Sequence, residues 1–108
     1  MKQNDPPYQV IIASDANNRM YDHFEFLARV SMQAANRLLD GFIKDLHNLR
    51  TDPFRYPVYN RPYLPVGKYR CLLSNRRYRI VYQIIDSFVY VDDIQDCRQD
   101  DNKSILGE

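Results

Sequence analysis

The stretch from Tyr69 to Gln95 constrains this chain more than any other part of it. It holds three runs of apolar, β-branched and aromatic residues, Tyr69 to Leu73, Tyr78 to Ile85 and Phe88 to Gln95. The gaps between them, Ser74-Asn75-Arg76-Arg77 and Asp86-Ser87, have turn composition and are too short for anything but a hairpin. The segment therefore predicts a three-stranded antiparallel meander. A sheet that small presents an apolar face which another layer has to cover.

The upstream sequence supplies that layer. Tyr8 to Ala13, bounded by Pro6-Pro7 and Ser14-Asp15, reads as a short first strand. Asp15 stands where it can cap the next helix, in which Met20, Phe24, Leu27 and Ser31 recur on one face while Arg19, Asp22 and Arg29 point to water. From about Met32 to Leu49, the residues Ala35, Leu38, Leu39, Phe42, Ile43, Leu46 and Leu49 form a wider stripe, broad enough to meet both a sheet and the first helix. Thr51-Asp52-Pro53 ends it. Residues 53–68 then carry Pro53, Pro57, Pro62 and Pro65 among Tyr56, Tyr59 and Tyr63, the composition of an ordered aromatic connection.

The expected architecture is thus α+β, in the order β-α-α-β-β-β. A helical hairpin packs on one face of a small antiparallel sheet, and the other face is left open. A chain of 108 residues with 44% hydrophobic residues suits a single domain over 1–108, with 1–7 and 100–108 as flexible tails. No apolar run approaches a membrane span and the N-terminal MKQNDPPYQV has no signal-peptide core, so a soluble cytoplasmic protein with no membrane partner is expected. Cys71 and Cys97 lack metal-ligand spacing and His23 and His47 lie in separate helical patterns, so no metal or other cofactor is expected.

The net charge of +1 conceals an uneven distribution. Residues 54–79 hold Arg55, Arg61, Lys68, Arg70, Arg76, Arg77 and Arg79 with no acid. Residues 86–101 hold Asp86, Asp92, Asp93, Asp96, Asp100 and Asp101 against Arg98 alone. Such blocks either present a basic surface to a phosphate backbone or acidic partner, or neutralise each other across neighbouring strands. A two-residue turn at Asn75-Arg76 would pair Leu73 with Tyr78 and Cys71 with Ile80 on the core face, beside Tyr82 and Ile84. Alternation then assigns Arg70, Leu72, Arg77, Arg79, Val81 and Gln83 to the open face. The same counting sets Asp92 opposite Val81 and Asp96 opposite Arg77, and turns Asp93 toward the core, where a charge is costly.

KYRCLLSNRRYRIVYQIIDSFVYVDDIQDCRQ, residues 68–99, resembles the RelE/ParE superfamily of toxins from bacterial type II toxin-antitoxin modules, with Tyr78-Arg79-Ile80-Val81-Tyr82 as its most specific element. The resemblance extends more loosely over residues 8–50. It implies a cognate antitoxin protein as partner. For RelE-type members it implies a ribosome-dependent endoribonuclease that cuts mRNA in the ribosomal A site without metal. Carried over residue by residue, Arg70, Arg79 and Arg98 would be the catalytic arginines, with Lys68 and Arg77 as substrate-steering neighbours. The chain departs from that pattern at Leu72, where a second lysine is expected, and in DDNKSILGE, which has no aromatic residue. Tyr59 or Tyr63 is then the candidate proton-transfer group. The expected function is the RelE-type endoribonuclease; the alternatives are a ParE-type member, which shares the fold, lacks the nuclease residues and poisons DNA gyrase as a protein ligand, or a degenerate member that would only bind its antitoxin or nucleic acid.

Overall fold

A computed structural model describes residues 6–98; apart from Pro6 and Pro7, the expected tails lie outside the described residues. The elements are β1 (Gln9–Ile12), α1 (Ser14–Ala28), α2 (Met32–Asn48), a short 3-10 turn at Pro53–Arg55, β2 (Arg70–Ser74), β3 (Tyr78–Ile85) and β4 (Phe88–Asp96). The β-α-α-β-β-β order is the expected one. The sheet order is β1-β4-β3-β2, and β1 runs parallel to β4 while the other pairs are antiparallel. The sheet is therefore mixed: the two helices return the chain to the same end of the sheet, and the strand they connect back to must be parallel.

Both helices bury one stripe. Ala16 and Met20 of α1 and Ala35, Leu38, Phe42 and Leu46 of α2 join Leu49, Leu72, Tyr78, Ile80, Tyr82, Val89, Val91 and Ile94 in one core. Leu39 is partly buried against that core, but Ile43 is exposed at the edge of the α2 stripe. Asp15 is not the cap of α1. Ala13 holds the N-cap position without a side-chain hydrogen bond, and Asp15 lies in the first turn, where a carboxylate still favours the helix dipole. Ser31 belongs to no stripe. Its hydroxyl accepts from the Ala34 N–H at 3.1 Å and caps α2.

Two extra residues set which side chains face which way. Asn75 and Arg76 both adopt positive φ, 54° and 61°, and the Arg77 N–H donates to the Ser74 carbonyl, as a two-residue hairpin turn requires. The ladder nevertheless starts at Ser74 opposite Tyr78, with Arg77 left over. Consequently Leu73 lies opposite Arg79, Leu72 opposite Ile80, Cys71 opposite Val81 and Arg70 opposite Tyr82. In β2 the expected alternation is inverted: Leu72 enters the helix-side core, while Cys71 and Leu73 lie on the other face.

The second extra residue is Asp92. The β3–β4 register shifts between Val81 and Tyr82, so Val81 pairs with Asp93 and Tyr82 with Val91. Such a bulge turns two successive residues to one side. Asp93 therefore takes the Val81 side of the sheet, where Arg19 of α1 still comes within 3.7 Å of it. It pairs with Val81, not Ile80, and Val91 and Ile94 keep their places in the core. The Asp86-Ser87 turn closes on Ile85 opposite Phe88 as its two-residue length demands.

Nor is the second face open. Tyr59, Leu64 and Tyr69 are buried there with Val81, and Cys71 packs against them. The proline-rich connection lies across the sheet and is fastened to the outer edge of β2 by Tyr59 N–H to the Tyr69 carbonyl at 2.8 Å and Cys71 N–H to the Pro57 carbonyl at 3.0 Å. Its prolines limit what it can pair with, which is why the attachment is one isolated bridge and not a strand.

Candidate functional site

The covered face holds a polar network whose centre is Arg79, the second residue of β3. Its Nη1 donates to the Tyr59 hydroxyl at 3.0 Å and to Gln95 Oε1 at 2.9 Å. The Tyr59 hydroxyl in turn donates to the same Gln95 oxygen at 3.1 Å. Gln95 Nε2 donates to Asp93 Oδ2 at 2.9 Å, and the Ile94 N–H donates to Asp93 Oδ1 at 2.9 Å. The amide of Gln95 thus stands between a buried carboxylate and a guanidinium, orienting both. Asp93 has no exposed surface, and Arg19 of α1 comes within 3.7 Å of it. A buried carboxylate with a cation and two N–H donors meets the conditions under which such a charge is tolerated.

Arg79 itself is a half-buried cation whose bonded oxygens are a phenol and an amide. Among the described residues no carboxylate lies within ion-pair distance of it. Burial works against its charged form, but the Tyr59 phenol and the Cys97 thiol beside it hold its pKa above the ordinary arginine value. The Tyr59 ring is flanked by two guanidiniums, with the Arg61 carbon 4.5 Å and the Arg79 carbon 5.5 Å from its centroid. Burial pushes the Cys71 thiol up, against the lowering effect of Arg79 and Arg61.

The other arginines expected at this site go elsewhere. Arg70 does not share a face with Arg79. The inverted alternation of β2 turns it toward the 3-10 turn, where its Nη1 donates to the Tyr56 carbonyl at 2.7 Å and the Phe54 carbonyl at 3.3 Å and its guanidinium lies 5.2 Å from the centre of the Phe54 ring. Arg98 is exposed over 62% of its side chain and gathers on Asp96 through its backbone N–H at 3.0 Å, Nε at 3.3 Å and Nη2 at 3.3 Å. Arg77 reaches the same carboxylate at 3.4 Å. Here the basic and acidic blocks do neutralise each other, one acid against two arginines. Lys68 is exposed, with its ammonium 5.4 Å from the Tyr69 ring centroid. Of the two candidate tyrosines, Tyr59 touches Arg79, while Tyr63 is more than a third exposed.

Gln95, Asp93 and Arg19 are the members of this network that strand alternation does not single out. For Asp93 and Gln95 the signal is masked by Asp92, which shifts by one the side that each later residue of β4 faces; Arg19 lies on the face of α1 that the sequence assigns to water. His23, from α1, is accounted for by a hydrogen bond between Nε2 and the Ile94 carbonyl at 2.9 Å, and His47 lies 3.1 Å from Arg50 Nη1. Among the described residues no group of His, Cys, Asp and Glu side chains is arranged to hold a metal ion.

A helical hairpin on a four-stranded mixed sheet, with a basic network under a proline-rich cover, defines a small α+β class of proteins. The fold matches a solved structure described as the chromosomal ParDE TA system from P. aeruginosa, with a TM-score of 0.67 at 11% identity, covering 83% of this chain and 96% of that one. The sequence carries the assignment further: residues 10–101 match the family model described as ParE toxin of type II toxin-antitoxin system, parDE, and the chain belongs to that family. A comparison with curated protein sequences gives no match.

Proposed function

We propose that this toxin acts as a protein ligand on DNA gyrase, in the cytoplasm, and is held inactive by its antitoxin. The family supplies the toxin class and the antitoxin partner. The observation that carries the mode of action is the divergence of the arginines. A phosphoryl-transfer transition state gains from several fixed cations aimed at one point. Arg70 and Arg79 lie on opposite faces of the sheet, and Arg77 and Arg98 are drawn to Asp96. A protein ligand needs no such convergence.

The test pairs two readouts on one preparation. Purified toxin is added to gyrase and relaxed plasmid, and the 5′ ends of translated messages are mapped after induced expression. Blocked supercoiling with intact messages is expected. New cuts at ribosomal A sites with normal supercoiling would overturn the proposal.

Ribosome-dependent mRNA cleavage is the second reading. The 3.0 Å contact between the Tyr59 hydroxyl and Arg79 favours it, because a phenol beside a guanidinium is a proton-transfer group beside an anion-binding one. In that reading Arg79 would polarise the phosphate and Tyr59 would move the proton. Arg98, Arg77, Lys68 and Arg70 would act from outside this contact.

A further inference from the structure

The two edges of the sheet differ. The outer edge of β2 is taken by the proline-rich connection, through the Cys71 N–H to Pro57 and the Tyr59 N–H to Tyr69. The outer edge of β1 has no such cover. The Gln9 and Ala13 N–H groups donate to the Ser87 and Val91 carbonyls at 3.0 and 2.9 Å, so the odd-numbered residues of β1 bond to β4 and the even-numbered ones point away from it. Tyr8 is met there by the end of α2, its N–H donating to the Arg50 carbonyl at 3.1 Å. No described group is bonded to the outward N–H and C=O of Val10 and Ile12. The strand carries no charge, proline or bulge, the devices that keep a bare edge from pairing.

We propose that β1 pairs antiparallel with β1 of a second copy of this chain, joining two four-stranded sheets into one continuous sheet. A two-fold axis at Ile11 sets Val10 of each copy opposite Ile12 of the other, and each such pair exchanges both of its N–H to C=O bonds. Val10 and Ile12 pack toward the helix-side core, so the Ile11 side chains meet across the axis on the opposite face. The charges at the two ends of the strand favour a copy over a foreign strand. Arg50 stands beside Tyr8 in a cleft of about 470 Å³ that Pro7, Val10 and Ser87 also line, and its guanidinium bonds to His47. Asp15 is exposed in the first turn of α1, just past the other end of β1. Among the described residues neither is in an ion pair. The same axis sets Ser14 of one copy opposite Tyr8 of the other, so Asp15 of each copy falls at the Arg50 cleft of the other. Backbone, apolar contact and charge along this edge therefore all match themselves, whereas a foreign strand would have to bring its own acid and base at that spacing.

The test follows the full chain by sedimentation equilibrium across the micromolar range, since an edge this short makes a small, reversible interface. Backbone amide exchange is recorded at a low and a high concentration of the same preparation. The mass is expected to double with concentration. Exchange of the Val10 and Ile12 amides should slow about tenfold at a concentration some ten times the dissociation constant, while Ile11, whose N–H already faces β4, changes little. Asp15→Arg and Arg50→Glu should each weaken the dimer by about tenfold, and the two together should restore it, each variant being checked for an unchanged amide spectrum elsewhere. Ile11→Lys sets two ammonium groups against each other on the axis and should leave a monomer. A monomer at every concentration overturns the proposal, as does a dimer in which Val10 and Ile12 exchange as fast as in the monomer. A double charge swap no better than either single one, or a dimer indifferent to Ile11→Lys, overturns it too. So does protection of Val10 and Ile12 that is independent of concentration, since the chain would then fill its own edge.

Discussion

Asn75 occupies the space that a side chain at Gly41 would need: a β-carbon built there lies 2.8 Å from Asn75 Cγ and nearer still to its Oδ1. Asn75 Nδ2 donates to the Leu38 carbonyl at 3.2 Å and to Ser74 Oγ at 3.1 Å. The β2–β3 turn is thereby fastened to the middle of α2, and the missing Cβ is what makes room.

Gly41→Ala is expected to destabilise the fold. Alanine brings about 1 kcal/mol of helix propensity, but overpacking costs roughly 1–3 kcal/mol, so the net loss is of the order of 1 kcal/mol. In an Asn75→Gly background, which tolerates the positive φ, the same change should become stabilising. Urea denaturation of the four proteins measures the coupling. Additive effects in the two backgrounds would separate Asn75 from the role of Gly41.

Tyr59→Phe removes the hydroxyl that Arg79 donates to, at an expected cost of about 1–2 kcal/mol. Tyr59→Ala also removes the ring that covers Val81, and should cost roughly 3–5 kcal/mol if the cavity does not collapse. In a Cys97→Ser background, Cys71 should react faster with a disulfide reagent in the alanine variant, because the same cover shields it. Unchanged reactivity would mean that Tyr59 does not hold the connection down.

Asp93→Ala leaves the Arg19 guanidinium and the Gln95 amide without their buried acceptor. Breaking one side of a buried pair costs about 3–5 kcal/mol. Gln95 is then no longer oriented, so the Arg79 Nε–Hε resonance should shift as well, although Asp93 does not touch Arg79. A stability loss with a stationary Arg79 signal would uncouple the two ends of the network.

The order of the elements and the choice of core residues were largely legible in the sequence, because periodicity reports burial. Phe42, Ile80 and Tyr82 are buried where their spacing says. The sides taken by Arg70 and Leu72 were not legible, since a single unpaired residue, Arg77, inverts everything on one strand while leaving its composition unchanged. The meeting of Arg79 with Tyr59 lies further out of reach. It depends on a connection folding back over twenty residues, held by one bridge that proline spacing does not announce.

Alkaline pH should weaken the fold. Burial raises the phenol pKa of Tyr69, Tyr78 and Tyr82 above the ordinary value of 10, with the Asp92 charge and hydrogen bond adding to it at Tyr69. The unfolded chain then releases those protons first. Their contribution to stability is complete below pH 10 and is lost as the pH rises through the folded-state values. Phenolate absorbance during a pH titration should appear in two stages, the second coinciding with loss of the far-ultraviolet signal. A single stage near pH 10 with the fold intact would contradict it.

The spare residue in β4 separates the strand's length from its pattern. Removing Asp92 would restore strict alternation and leave Val91, Asp93, Ile94 and Gln95 on the sides they now occupy. Asp93, Ile94, Gln95 and Asp96 pair with Val81, Ile80, Arg79 and Tyr78 in one unbroken register, so the spare residue is absorbed at a single point and the ladder on either side of it would stay as it is. The strand thus contains its own slack: one residue can be taken up between Val91 and Asp93 without the helices or the exit of the chain having to move.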